Sequence, residues 1–211
     1  MLGIAAAVAA LALASAAARP GGAARPVKIV ALGDSLTAGL GLAADAAFPA
    51  RLERALAQKG INAEIVNAGV SGDTTADGLS RLDWSVPDGT DGAILELGAN
   101  DALRGIDPAQ TRANLDAILK RLTARKLPVL LAGMRAPPNL GAEYTKAFDA
   151  IYPDLAAAYG TLFYPFFLDG VAADRSLNQG DGLHPTAAGV DVIVGRMLPV
   201  VEELVGRARA P

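Results

Sequence analysis

The chain has no cysteine and a single histidine, His184, in 211 residues. The first absence excludes disulfide frameworks, thiolate zinc sites, thiol nucleophiles and iron–sulfur clusters. The second excludes multi-histidine metal sites such as H-E-x-x-H. Charge is sparse as well: 19% of residues are charged, the net charge is -3, and no basic run reaches five residues. A nucleic-acid partner therefore has no electrostatic footprint here. Disorder is excluded from the opposite side, because 52% of the residues are hydrophobic, ample for a packed core. Any chemistry must be carried by oxygen nucleophiles, carboxylates and one imidazole, with no cofactor or metal expected.

Residues 1–18 contain no charge, and only Gly3 and Ser15 fall outside the apolar set. Ala-Ser-Ala at 14–16 and Ala-Ala-Ala at 16–18 both satisfy the small-residue rule for a secretory signal. The segment predicts a leader cleaved after Ala16 or Ala18, although it lacks the usual basic start. A membrane anchor is the alternative, but the stretch is barely long enough and mostly Ala. The expected product is periplasmic or secreted, without a stable membrane anchor. The length predicts one domain, here residues 26–211 after a leader and short linker over 1–25.

Beyond the leader, short apolar runs alternate with amphipathic ones. Val27–Leu32, Ala63–Val66, Ala93–Leu97, Pro128–Ala132 and Leu162–Phe167 read as five buried strands. Between them, Phe48, Leu52, Ala55 and Leu56 share a helical face that Gly60 ends. Thr75–Leu82 is a weaker helix. Asp107-Pro108 caps a helix burying Leu115, Ile118, Leu119 and Leu122. Glu143–Tyr159 is helical, split or kinked at Pro153. The last helix starts at Pro185 or soon after, and Pro199 is expected to bend it. Such alternation predicts an α/β protein with a parallel sheet covered on both faces.

Open parallel sheets bind ligands at the carboxyl ends of their strands. The loops there are Gly33-Asp34-Ser35-Leu36, Asn67-Ala68-Gly69, Gly98-Ala99-Asn100-Asp101 and, near the C-terminus, Asp181-Gly182-Leu183-His184-Pro185. Together they offer a hydroxyl, glycine-flanked N–H groups, a carboxamide, a carboxylate and an imidazole, the parts of a serine acyl hydrolase. Singly, each residue has a plainer reading. Ser35 and Asn100 could be helix caps, Gly69 a turn, Asp181 a turn residue and His184 an ordinary surface histidine. The coincidence in these loops favours catalysis. His184 titrates near neutrality, and Asp181 three residues earlier can orient its ring. Position 37 is Thr, so Ser35 is not in a G-x-S-x-G elbow, which argues against an α/β-hydrolase.

These blocks resemble those of the GDSL esterases, also called SGNH hydrolases. The stretches Asn67–Thr75, Met134–Gly141 and Phe148–Ala156 resemble the branch of exported arylesterases and multifunctional thioesterase/lysophospholipases. The likeness runs from about Val27 to Val205. It implies a three-layer α/β/α sandwich with a five-stranded parallel sheet, the flavodoxin-like SGNH hydrolase fold. It implies Ser35 as nucleophile, His184 as general base and Asp181 as its orienting carboxylate. The oxyanion hole would be the N–H of Ser35, the N–H of Gly69 and the side-chain amide of Asn100. Ala99 departs from the pattern, standing where some relatives have Gly.

The resemblance further implies a small-molecule acyl ester as substrate: short- to medium-chain or aryl esters, extending to thioesters and lysophospholipids. Leu79 and Leu103 are the expected pocket walls, with core packing as the alternative for each. A carbohydrate O-deacetylase on the same triad is a second reading, and a non-catalytic binding protein a third. Gly39-Leu40-Gly41-Leu42-Ala43-Ala44 matches G-x-G-x-x-A, but it starts seven residues beyond Leu32, too far from the strand to cradle a dinucleotide.

Overall fold

The computed structural model describes residues 25–210. Most of the expected leader and linker lies outside the described residues. At Arg25, the last residue of that expected linker, the guanidinium grips the Asp91 carboxylate through two bonds of 2.6 and 2.7 Å, and Asp91 also accepts the N–H of Lys28.

The chain runs β1 (Val27–Gly33), α1 (Ser35–Ala38), α2 (Phe48–Gln58), β2 (Ala63–Gly69), α3 (Thr75–Ser80), α4 (Leu82–Ser85), β3 (Gly92–Glu96), α5 (Ala99–Leu103), α6 (Pro108–Ala124), β4 (Val129–Ala132), α7 (Ala142–Asp149), α8 (Ile151–Tyr159), β5 (Leu162–Tyr164) and α9 (Ala187–Arg209). The five strands form one parallel sheet in the order β2-β1-β3-β4-β5. Helices α2 and α9 pack on each other, and α9 spans β1, β3, β4 and β5. A separate group, α3, α7 and α8, packs around α6, with α6 and α8 lying on β4. The strands between these layers are apolar because both faces are covered: Ile29, Val30, Leu32, Ile94, Leu95, Leu130 and Leu131 are all buried.

Three of the boundaries that differ from the sequence reading have a plain local reason. Strand β2 continues through Asn67 to Gly69, in register with Ala31 to Gly33, so this supposed loop is ladder. Strand β5 stops at Tyr164 because Pro165 has no N–H to give. The break near Pro153 falls instead at Ala150, which leaves Pro153 in the first turn of α8, where a missing N–H costs nothing. Pro199, the expected bend, lies inside α9, which continues to Arg209. It lies on the exposed side of a helix whose Val190, Ile193, Val194, Met197, Val201, Leu204 and Val205 are buried.

The sheet order reverses direction at β1, with β2 on one side and β3 on the other. This is the topological switch point, where a crevice opens beyond the carboxyl ends of the strands. Ser35 leaves β1 there and Asn100 leaves β3 there.

Candidate active site

Ser35 is the first residue of α1, a single helical turn capped by Asp34, whose Oδ1 accepts the N–H of Leu36 at 2.9 Å. The turn is tight because Gly33 has no side chain. A Cβ there would lie 2.1 Å from Thr37 Oγ1 and 2.7 Å from the Glu96 carbonyl. Ser35 is thus fixed directly at a buried strand end rather than on a mobile loop.

His184 arrives from a different kind of structure. Its loop, after β5, is braced by a short antiparallel bridge between Asn178 and Pro185. Gln179 N donates to the His184 carbonyl at 2.7 Å, and Thr186 N to the Leu177 carbonyl at 2.8 Å. Gln179 Nε2 also donates to the carbonyls of Pro185 and Leu40, tying this loop to the turn that follows α1. Gly182, at φ +71°, makes the bend that returns the chain toward Ser35.

These two segments bring the expected polar groups together. Ser35 Oγ lies 2.8 Å from His184 Nε2, and His184 Nδ1 lies 2.6 Å from Asp181 Oδ2. The other carboxylate oxygen of Asp181 accepts the N–H groups of Leu183 and His184 at 2.9 and 3.0 Å. The His184 N–H, then the His184 ring and the Leu183 N–H, hold the Asp181 carboxyl well below the ordinary carboxylate range. Asp181, whose side chain is 44% exposed to water, is therefore an anion at neutral pH.

Asn100 lies on α5, and its Nδ2 donates to Asp34 Oδ2 at 3.2 Å and to the Asp73 carbonyl at 2.9 Å. It thereby links the Ser35 turn to the 70–74 loop. Gly69 is elsewhere. Its N–H donates to Asn67 Oδ1 at 3.0 Å, and a Cβ on it would meet Ala38 N at 2.3 Å, so it is a packing glycine beneath α1 and not a free donor. The glycine whose amide is open is Gly72: among the described residues neither its N–H nor that of Ser35 meets an acceptor. Spacing alone could not separate two glycines three residues apart, one ending β2 and the other in the turn beyond it.

The 70–74 loop is held from below by Arg81, which no sequence motif singles out. Its Nε meets Asp73 Oδ2 at 2.6 Å, and its Nη atoms donate to Ser85 Oγ and to the carbonyls of Ala68 and Gly33. One guanidinium thus joins the ends of β1 and β2 to the loop that carries Gly72. Arg104 adds a bond to the Gly72 carbonyl.

Ser35, His184 and Asn100 open on a cavity of about 290 Å³, whose other walls include Leu36, Leu103, Met134, Phe166, Leu168 and Leu183. Leu103 is 52% exposed and lines it, whereas Leu79 does not line it and packs against the core. Among the described residues no group of three or more His, Asp or Glu is placed to hold a metal ion.

Residues 31–192 match the model of the GDSL-like lipase/acylhydrolase family. The chain is 38% identical over 177 residues to Esterase TesA of Pseudomonas aeruginosa, covering 83% of this chain and 88% of that protein. It is 39% identical over 178 residues to the thioesterase 1/protease 1/lysophospholipase L1 of Escherichia coli, with 84% of each covered. Among solved structures, the SGNH-hydrolase family esterase AlinE4 superposes with a TM-score of 0.73 at 52% identity, covering 85% of this chain and 96% of that one.

Proposed function

The chain belongs to the GDSL-like lipase/acylhydrolase family and is an ester hydrolase, and from that premise we propose that it is a serine esterase acting on short- to medium-chain acyl and aryl esters through Ser35, His184 and Asp181. The observation that carries this reading is the hydrogen-bonded series from Asp181 through His184 to Ser35, opening on an apolar cavity. His184 Nε2, 2.8 Å from Ser35 Oγ, takes the hydroxyl proton as Oγ attacks the acyl carbonyl. It then gives that proton to the departing alcohol. Asp181 holds the Nδ1–H tautomer and stabilises the imidazolium that forms. Water, activated by His184, releases the acyl group from Ser35 in the second half-reaction.

The negative charge on the carbonyl oxygen needs preorganised donors. The open N–H groups of Ser35 and Gly72 supply two. Asn100 supplies the third by trading its longer bond, 3.2 Å to Asp34, for the substrate oxygen while keeping its bond to the Asp73 carbonyl. The apolar walls accept the acyl or aryl group. Thioesters and lysophospholipids fall within the same chemistry, and the name of the Escherichia coli relative favours including them. No helix among the described residues is long and apolar enough to cross a membrane. The uncharged stretch at residues 1–18 supports export as part of the proposal.

The test is hydrolysis of p-nitrophenyl esters from acetate to palmitate by the protein and its Ser35→Ala variant. Turnover that vanishes in the variant, with rates that peak at short or medium chains, is the expected result. Turnover that survives Ser35→Ala overturns the serine mechanism.

A further inference from the structure

Glu96 is the last residue of β3, fully buried, and plays no part in the chemistry described above. Its Oε2 accepts the hydroxyl of Thr37 at 2.7 Å and the N–H of Asp34 at 3.4 Å. Those two residues bracket Ser35, one just before it and the other two after it. Gly33 pairs with Glu96 across the strands, and a Cβ on Gly33 would come within 2.6 Å of the same Oε2. The bare glycine thus makes room for a carboxyl group beneath the nucleophile turn. The other oxygen, Oε1, is buried and meets no partner among the described residues.

The neighbouring carboxyl, Asp34, is buried too, with the N–H of Leu36 and the amide of Asn100 as donors. No lysine or arginine contacts either group among the described residues. Two carboxylates without a cation in a dry site cannot both ionise cheaply. Asp34 has a donor on each oxygen, whereas Glu96 has donors on one oxygen only, so the anion belongs on Asp34.

We infer that Glu96, held as a neutral carboxylic acid, is a positioning residue for Ser35: it pins both flanks of the nucleophile turn, and with them the Ser35 hydroxyl and N–H. This rests on the serine-esterase reading. Burial, and then the nearby Asp34, push Glu96 well above the ordinary carboxyl range, while Thr37 and the Asp34 N–H offset this only in part. The titratable groups around it are Asp34 on the β1–α1 turn and Tyr152 of α8, whose own hydroxyl donates to the Leu97 carbonyl.

The experiment measures kcat and KM on p-nitrophenyl butyrate from pH 6 to 10 for the unmodified protein, Glu96→Gln, Glu96→Ala and Ser35→Ala, with thermal melting of each. Glutamine keeps a neutral acceptor for Thr37 and Asp34. Its kcat at neutral pH is expected within about threefold of the parent, whereas alanine loses roughly 10- to 100-fold in kcat at little change in KM, the scale of a misplaced catalytic group. Where Glu96 ionises as pH rises, two carboxylates would face each other beneath Ser35, and the parent should lose activity that Glu96→Gln retains. An activity-independent readout accompanies it: the 13C carboxyl resonance of Glu96 in labelled Ser35→Ala protein, assigned by its loss in the Ser35→Ala, Glu96→Gln double variant, should show a neutral acid at pH 7. An ionised Glu96 at pH 7, a glutamine variant as impaired as alanine, or an alanine variant with the parent's kcat each overturns the inference. Undiminished turnover in Ser35→Ala would instead overturn the serine-esterase reading itself, while the carboxyl resonance would still report on Glu96.

Discussion

The two halves of the candidate site are built differently. Ser35 stands on a buried strand end, over the buried carboxyl groups of Asp34 and Glu96, with Gly33 filled to contact. His184 and Asp181 stand on a loop whose side chains are 18% and 44% exposed, held by backbone turns and by Gln179. Ser35 is positioned by dry packing and His184 by local hydrogen bonds in contact with water. On the proposed mechanism a displaced Ser35 would spoil the attack and the oxyanion donors together, because Ser35, Asn100 and Gly72 are linked through Asp34 and Asp73. The exposed carboxylate has water as a partial substitute.

The largest effects should separate the two halves by chemistry. Ser35→Ala, in the buried half, should lower kcat on a p-nitrophenyl ester by about 10⁵- to 10⁶-fold, whereas Asp181→Ala, on the exposed loop, should cost only about 10⁴-fold, as unequal triad losses do elsewhere. Equal losses would show that the exposed loop is as tightly coupled as the buried turn. Asn100→Ala comes next, at about 10²- to 10³-fold in kcat with KM nearly constant. A loss expressed in KM alone would remove it from the oxyanion role.

Smaller effects separate the halves by stability. Gly33→Ala drives a methyl into Thr37 and Glu96 and should lower stability by about 1–3 kcal/mol in chemical denaturation. Gly182→Ala meets nothing within 4 Å and suffers only the left-handed backbone at φ +71°, about 1–2 kcal/mol. If the Gly182 variant were the less stable of the two, the contrast between a packed and an open half would fail. The smallest effect is one of pH. A buried acid raised above its unfolded value binds its proton more tightly when folded. Its contribution is intact below the ordinary carboxyl range and is lost as pH rises through the folded value. Melting temperatures of Glu96→Gln should therefore gain on those of the parent as pH rises from 5 to 9, and parallel curves would contradict this.

What the sequence made legible was what depends on local pattern. Apolar runs such as Val27–Leu32 and Pro128–Ala132 marked strands because both faces of a parallel sheet are buried. The Gly-rich loops after them marked the crevice because strand ends converge at the switch point. The pattern failed where partners are far apart in the chain. Arg81 reaches Gly33 across 48 positions, Gln179 reaches Leu40 across 139, and Glu96 reaches Asp34 across 62. Each is a residue type that usually faces solvent, and nothing beside it in sequence reveals its partner. Gly69 was misplaced for a related reason. Whether an amide is free depends on Asn67 two residues back, whose side chain folds onto it, and on β2 running three residues further than its apolar run.

The most direct test is active-site labelling with a fluorophosphonate, followed by peptide mass spectrometry. The account predicts one covalent adduct per chain, on the peptide containing Ser35, formed in step with loss of esterase activity and absent from Ser35→Ala and much slowed in His184→Ala. Full inactivation with the adduct on another residue, or an active enzyme that takes no label at Ser35, would contradict it.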